Sequence, residues 1–463
     1  MGDEKPTHPS LRPPPAHGYP PHDAAPPASW VLLDLDAYVA DRENATSAWG
    51  TMSNGKAIRV TFCTAGPPLV SYICVWSPDA EIAMEPTVEA AESDLIFLSV
   101  FLRGRRNQGE YFVYKAAGSK GPSLRRVQDP EPCWPERYNF TLLAHRDTGC
   151  PQADGDNDDH YYIAALNQFR RSGPGDFKLW LFNSMDGKWS TTPVSSRSEG
   201  LLSFVDPWRG IIVCDVLGRK PARYLQLPPP LIRHDKFRDE PLLDRDIAFV
   251  EGRLTVVALT SPVVQQGSSI SNPRSRQISS WSRAVSDQWE EDWRMDYVIQ
   301  SPNISVDTTG SVDHLLLNLQ DCNGRTRQPS MGKLYIDHPT LSLSDSRIVY
   351  IMGQVNVRDK KALVLAIDMS ISKLQGVAMF DAERMIGFTY TQPRISKYFN
   401  AAPGVNIRPG EFPMRYPCKL QDRVTVMYDA VYTPMQSGGV QDGQDTGASK
   451  GAEDEDDNAM DLD

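Results

Sequence analysis

Residues 204–230, FVDPWRGIIVCDVLGRKPARYLQLPPP, decide the fold class of this chain. Asp206-Pro207 makes a turn into the apolar run Ile211-Ile212-Val213-Cys214, which Leu217-Gly218 breaks. Residues 222–227 give a second short strand, closed by Pro228, Pro229 and Pro230. Proline has no N–H for a ladder and glycine has no side chain to pack, so both punctuate strands. Short apolar strands ended in this way belong to an all-β domain.

Outward from this stretch the same unit recurs as a pattern: an apolar strand, a turn, then an alternating strand with an aromatic or large aliphatic residue. DLIFLSVF (94–101) is followed by EYFVYK (110–115) and by 124–127. Residues 160–166 are followed by KLWLFN (178–183), an Asp186-Gly187 turn and 188–191. Residues 246–250 turn at Glu251-Gly252 into 253–259, and EDWRMDYVI (291–299) comes later. Residues 341–355, ALVLAID (362–368) and LQGVAMF (374–380) complete the series. Asp-Gly between two such runs signals a hairpin. With 58–76 and 208–227 the units number about six, inside the roughly 4–8 blades of β-propellers. The expected architecture is therefore a β-propeller-like body of about six blades. Helix is expected only as one or two turns within 81–92, where Pro86 stops anything longer.

Composition divides the chain into three parts. Residues 1–29 hold nine prolines without an apolar period, a leader expected to lack structure. Residues 30–435 read as one unbroken body, with 204–345 as its central motif region. Residues 436–463 form an acidic tail, also expected to lack structure. From Asp442 to Asp463 nine acidic residues face Lys450 alone, so the tail carries −8 of the formal −11 and leaves only −3 elsewhere. No basic stripe interleaved with aromatics appears, which argues against nucleic acid as a partner. The Arg103, Arg105, Arg106, Arg125 and Arg126 cluster reads as a solvated loop edge. No run approaches the ~20 apolar residues that cross a bilayer, and the N-terminus has no signal-peptide core. A cytoplasmic or nuclear protein away from membranes is expected. Seven cysteines without a CxxC suit a reducing compartment, with Cys63, Cys74 and Cys214 as small core residues.

The chemistry-bearing motifs each fall short. GTMSNGKA (50–57) resembles a phosphate loop, but Ala57 replaces the hydroxyl residue and an alternating strand follows, so Asn54-Gly55 reads as a hairpin turn. Asp154, Asp156 and Asp158 have calcium-loop spacing, but Asp159 stands where glycine is needed and Ala165 where glutamate is needed. His145 and His160 flank that loop. Asp313-His314 and Asp337-His338 are sequence neighbours, which on a strand point to opposite faces and make no dyad. Trp189, Trp208, Trp289 and Trp293 are read as packing between sheets. The Ser/Arg-rich stretch 266–283, with Arg274, Arg276, Ser279 and Ser280, is read as a loop that would suit a basophilic kinase. No catalytic, cofactor-binding or metal-binding residue is assigned.

DPWRGIIVCDVL followed by ARYLQLPPP resembles the grass-expanded plant family catalogued as domain of unknown function 1618. The motif residues here are Asp206, Trp208, Arg209, Gly210, Cys214, Asp215, Arg223, Tyr224, Leu227 and Pro228. WVLLDLDAYVADRENATSA (30–48) and VTFCTAGPPLVSYICVW (60–76) look like the same family's N-terminal region, so the resemblance spans most of 30–380. It implies a likeness to the propeller-like domains attached to plant F-box proteins, although the leader here is too short and Pro-rich for an F-box bundle. The motif is expected to be structural. Trp208 should pack in the core, Arg209 should hydrogen-bond backbone carbonyls, and Gly210 should allow a close approach or a positive φ.

These readings converge on a non-enzymatic interaction module that presents loops to a protein partner and needs no cofactor. The alternative is an enzyme or carbohydrate binder that uses a propeller's central pocket.

Overall fold

The computed structural model describes residues 9–14, 29–103, 109–116, 121–128, 140–144, 160–168, 177–190, 201–206, 210–215, 223–232, 241–261, 275–284, 292–306, 331–356, 359, 361–381, 390–399 and 425–428. Among the described residues strand outweighs helix by 58% to 7%, so the fold is all-β. No helix among the described residues is long and apolar enough to cross a membrane.

The N-terminal strands are β1 (Leu32–Asp34), β2 (Tyr38–Val39), β3 (Ala48–Thr51), β4 (Ala57–Cys63) and β5 (Val70–Trp76). Three antiparallel meanders and one partial meander follow before the last. The first blade is β6 (Thr87–Glu92), β7 (Leu95–Phe101), β8 (Gly109–Lys115) and β9 (Ser123–Val127). The second is β10 (Phe140–Ala144), β11 (Tyr161–Gln168), β12 (Phe177–Asn183) and β13 (Lys188–Ser190). The third contributes β14 (Leu201–Asp206), β15 (Gly210–Asp215) and β16 (Arg223–Gln226). The fourth is β17 (Arg245–Val250), β18 (Arg253–Thr260), β19 (Gln277–Ala284) and β20 (Arg294–Gln300). The fifth is β21 (Tyr335–Leu341), β22 (Ile348–Gln354), β23 (Lys361–Asp368) and β24 (Lys373–Asp381). Two late strands return to earlier sheets: β25 (Tyr390–Thr391) joins β1, and β26 (Thr425–Tyr428) runs parallel to β14 and completes the third blade.

The expected count of six blades is corrected to five four-stranded blades. The remaining sheet has six strands in the order β25-β1-β5-β4-β3, and β2 also pairs with β5. It is not a simple meander, because β1 and β2 both lie parallel to β5. Its β25 comes from the far end of the body, with Leu33 opposite Thr391 and Asp34 opposite Tyr390. Local periodicity counts hairpins, and a parallel pairing between strands distant in sequence leaves no such mark.

The cores lie between sheets, and strand alternation feeds two of them at once. In β18, Leu254, Val256 and Ala258 join Ile211 and Leu225 of the third blade, whereas Val257 and Leu259 join Ile351 and Leu365 of the fifth. A strand buried on both faces reads as one continuous apolar run. Ile58, Val60 and Phe62 of β4 pack with Ile96 and Leu98 of the first blade, while Cys63, Tyr72 and Cys74 pack with Met352 and Val364 of the fifth. The N-terminal sheet thus fills the gap between the first and last blades, and the arrangement is propeller-like.

Turn chemistry follows the sequence. Val250 faces Arg253 across a two-residue turn in which Glu251 and Gly252 have φ of 48° and 77°. Positive φ at both central positions matches the right-handed strand twist. The 186–187 turn is longer than two residues: Asn183 pairs with Lys188, leaving four between them.

Three other expectations change. The helical turn within 81–92 is absent; Thr87–Glu92 is β6, and Ile82 bridges Leu102. In the Pro-rich leader, Pro9–Leu11 forms a 3-10 turn with Ser10 and Leu11 buried. The Ser/Arg-rich stretch is a loop only in expectation from residue 277 onward, where it is β19 with Ser279 and Ser280 buried. Arg276 pairs with Asp244 at 2.5 Å. A kinase cannot reach serines held in a packed strand. The acidic tail 436–463, the 154–158 loop, His145, Asp313-His314, Trp208, Arg209 and Trp289 lie outside the described residues.

Candidate functional site

The face of β4 that carries Arg59, Thr61 and Cys63 is the most unusual surface of the body. The alternate residues Ile58, Val60 and Phe62 are spent on the core shared with the first blade. The hairpin around Asn54-Gly55 sets Trp49 opposite Arg59, and the next pairing sets Arg59 opposite Trp76. Three strands therefore present indole, guanidinium and indole side by side. The Arg59 guanidinium lies 5.1 Å from the Trp49 ring centroid and 4.8 Å from that of Trp76. Arg59 is buried, and a buried charge needs a partner. Asp41 supplies one and Glu43 another at 3.1 Å, from the segment that follows β2. Both carboxylates remain largely in solvent, at 61% and 67% side-chain exposure, and Trp49 stays 48% exposed.

Further along the same face, Cys63 pairs with Tyr72 and Thr61 with Cys74. Arg42 reaches into this region. Its guanidinium hydrogen-bonds the Tyr72 hydroxyl, approaches Cys63 Sγ at 4.0 Å and donates to the Pro14 carbonyl at 2.9 Å. Tyr72 also donates to Pro14 O at 3.3 Å, so the Pro14 carbonyl is held by the same two side chains that lie beside Cys63. The Cys63 thiol is pushed down to about 6, first by a hydrogen bond from Cys74, with Tyr72 and Arg42 adding to it against the opposing cost of burial. The same pairing, together with burial, pushes Cys74 up. Both cysteines are free, as the core reading of these residues expects.

A second cluster sits on the first strand of the fifth blade. The register of β21 against β22 slips between Asp337 and Thr340, and His338 has φ of 48°. This bulge breaks the alternation, so Asp337 and His338 do form a pair, with Nδ1 3.0 Å from Asp337 Oδ1. The expectation of opposite faces fails because a bulge re-aims a side chain. His338 Nε2 is buried without a hydrogen-bond partner among the described residues. Tyr390 donates to the His338 carbonyl at 3.2 Å, and Asp246 accepts from Leu341 N at 2.8 Å and from Gln392 Nε2 at 2.6 Å. Complete burial pushes the Tyr390 hydroxyl up. The cluster ties together the fourth blade, the fifth blade and β25. Among the described residues no group of three or more His, Cys, Asp or Glu is placed to hold a metal.

The motif residues are described mainly through their backbone. Asp206 pairs with Gly210, Cys214 with Leu202, Asp215 with Leu201, Arg223 with Val213 and Tyr224 with Ile212. An ideal Cβ on Gly210 would sit 2.6 Å from Leu225 O and 2.5 Å from the Tyr224 ring, so close approach demands glycine there. Trp189 and Trp293 share one role. Each is half-buried on the outer side of its blade, and its indole N–H donates at 2.8 Å to the preceding blade, to Gln128 O and Gln226 O respectively. The Trp49–Arg59–Trp76 ladder escaped the sequence reading: a two-residue Asn54-Gly55 turn would set Trp49 opposite Val60, whereas Thr51 pairs with Ala57, leaves five residues between them and brings Arg59 opposite Trp49.

Sheets and inter-sheet cores define a β-propeller-like protein. Residues 204–350 match the model of the family described as "Protein of unknown function (DUF1618)", and this segment runs from β14 to β22. The family motif read from the sequence lies inside it. No curated protein matches the chain. Among solved structures, hydrazine synthase of Kuenenia stuttgartiensis is similar at 12% identity and a TM-score of 0.25, over 61% of this chain and 77% of that one.

Proposed function

We propose that this chain is a non-enzymatic interaction module, cytoplasmic or nuclear, that docks a basic, arginine-bearing segment of a protein partner on the Trp49–Arg59–Trp76 face. The observation that carries this reading is the exposed Trp49 indole beside two solvated carboxylates that share one buried guanidinium. Asp41 and Glu43 share one guanidinium and stay largely in solvent, which leaves carboxylate oxygens open to a second cation. An incoming guanidinium would meet Asp41 or Glu43 and the open Trp49 ring together. Such a cation–π contact contributes about 0.5–1 kcal/mol when exposed and roughly 2 kcal/mol when desolvated. Exposed tryptophans beside complementary charge are typical anchors of interfaces.

The test is fluorescence anisotropy of a labelled arginine-containing peptide against the whole protein, Trp49→Ala and the Asp41→Asn/Glu43→Gln double variant. The acidic tail is common to all three, so nonspecific attraction to it cancels. Each variant should bind about tenfold more weakly, a difference of about 1.4 kcal/mol. Equal affinity in all three would overturn the reading. An oligosaccharide that binds in a Trp49-dependent way would assign the face to carbohydrate instead.

A second reading, acid–base chemistry at the Asp337–His338 pair, is favoured by the unpartnered His338 Nε2 and the left-handed backbone at that residue. It requires a substrate to reach a nitrogen that is buried. His338→Gln should then abolish turnover with the melting temperature kept.

A further inference from the structure

We propose that Cys63 and Cys74 form a peroxide-oxidisable dithiol beneath a cover made by residues 9–14. This inference concerns different residues from the docking face and does not depend on it. The two cysteines occupy neighbouring strands on the same face, two residues out of direct register. Arg42 approaches the Cys63 sulfur, and the Tyr72 hydroxyl lies beside it. A cation and a hydroxyl beside a thiol favour the thiolate, the form that reacts. Arg42 and Tyr72, the same two groups that flank the sulfur, both bind the Pro14 carbonyl of this cover.

The chemistry balances with a hydroperoxide as the oxidant. The Cys63 thiolate attacks one peroxide oxygen; an S–O bond forms, the O–O bond breaks, and the departing alkoxide or hydroxide takes a proton from solvent. Cys63 is then a sulfenic acid. The Cys74 sulfur attacks the Cys63 sulfur; the S–S bond forms, the S–O bond breaks, and the hydroxyl leaves as water with the Cys74 proton. Two thiols are oxidised, and the peroxide is reduced to an alcohol, or water, plus water. Diagonal neighbours across an antiparallel pair lie roughly 7–8 Å apart at Cα. Disulfides prefer ~5.5–6 Å. Closing the bond must therefore pull β4 and β5 together locally, which moves Tyr72 against Arg42 and loosens their hold on Pro14. Oxidation and release of the N-terminal cover are one event.

The full chain, treated with hydrogen peroxide, tests this by differential alkylation and peptide mapping. The wild type should give a Cys63–Cys74 disulfide that dithiothreitol reverses, and amide hydrogen–deuterium exchange at Ser10, Leu11 and Arg12 should quicken about fivefold. Cys74→Ala should instead accumulate a dimedone adduct on Cys63. The wild-type map needs no variant, so a folding failure of Cys74→Ala leaves the test intact. Oxidation spread evenly over the seven cysteines, or a disulfide that excludes Cys63, would overturn the proposal, as would unchanged amide exchange at Ser10, Leu11 and Arg12 in the oxidised protein.

Discussion

Arg59 shows how a single residue links the fold to its surface. It is buried on the middle strand of three, between Trp49 and Trp76, and Asp41 and Glu43 pair with its guanidinium. Cys63, four residues on, has neighbours that favour its thiolate, Cys74 first and then Tyr72 and Arg42. Its folded pKa of about 6 lies below the ordinary thiol value, so Cys63 is ionised above about pH 6 and protonated below it. The rate of Cys63 alkylation should accordingly rise through pH 6 and level off by pH 8, whereas an ordinary thiol still gains rate up to about pH 9. Mass-resolved labelling from pH 5 to 9 measures this. Gly210 makes a separate prediction. With a backbone oxygen 2.6 Å from where a Cβ would go, Gly210→Ala must displace β16. A cost of about 1–3 kcal/mol is expected, as for overpacking elsewhere. Urea unfolding monitored by circular dichroism reads it.

Among the elements, strands buried on both faces were the most legible. β7, β8, β18 and β23 are mainly apolar in their middle residues, and their limits agree with the sequence reading to within a residue or two. Less legible were strands whose burial depends on neighbours. β19, QISSWSRA, looks like a solvated loop because its serines carry no hydrophobic signal, yet pairing with β18 and β20 buries them. The Asp337–His338 pair was invisible for a different reason: a bulge is a property of the register between two strands, and one strand's alternation cannot reveal it. The tryptophans were recognised as markers, but not as donors to the preceding blade. Removing the indole N–H should thus weaken the coupling between blades. Trp189→Phe and Trp293→Phe should each cost about 1 kcal/mol, near the net value of one hydrogen bond. The two costs should add, because the residues lie on different blades. Thermal denaturation of the single and double variants supplies the check.

At the scale of the molecule, the all-β class and the propeller-like arrangement were readable, and the way the ring closes was not. Closure depends on β1 meeting β25, a pairing across most of the body, and on parallel pairings at β5. Nothing local in LLD or YT announces it. In the same sheet, the segment after β2 brings Asp41 and Glu43 to Arg59 and Arg42 to Tyr72. The proposed docking face and the two thiols both lie on this one irregular sheet, beside the five four-stranded blades. The family match begins beyond that sheet, at residue 204, so the docking face lies outside the matched segment.

The central claim is that Trp49 and Trp76 form the contact face. It is tested most directly by fluorine NMR of protein labelled with 5-fluorotryptophan. The resonances of Trp49, Trp76 and Trp189 are assigned from the Trp→Phe variants, and the arginine-containing peptide is then titrated in. The Trp49 and Trp76 signals should shift saturably, with one shared dissociation constant, while that of Trp189 stays in place. Saturating peptide that leaves the Trp49 and Trp76 signals where they were would contradict the account.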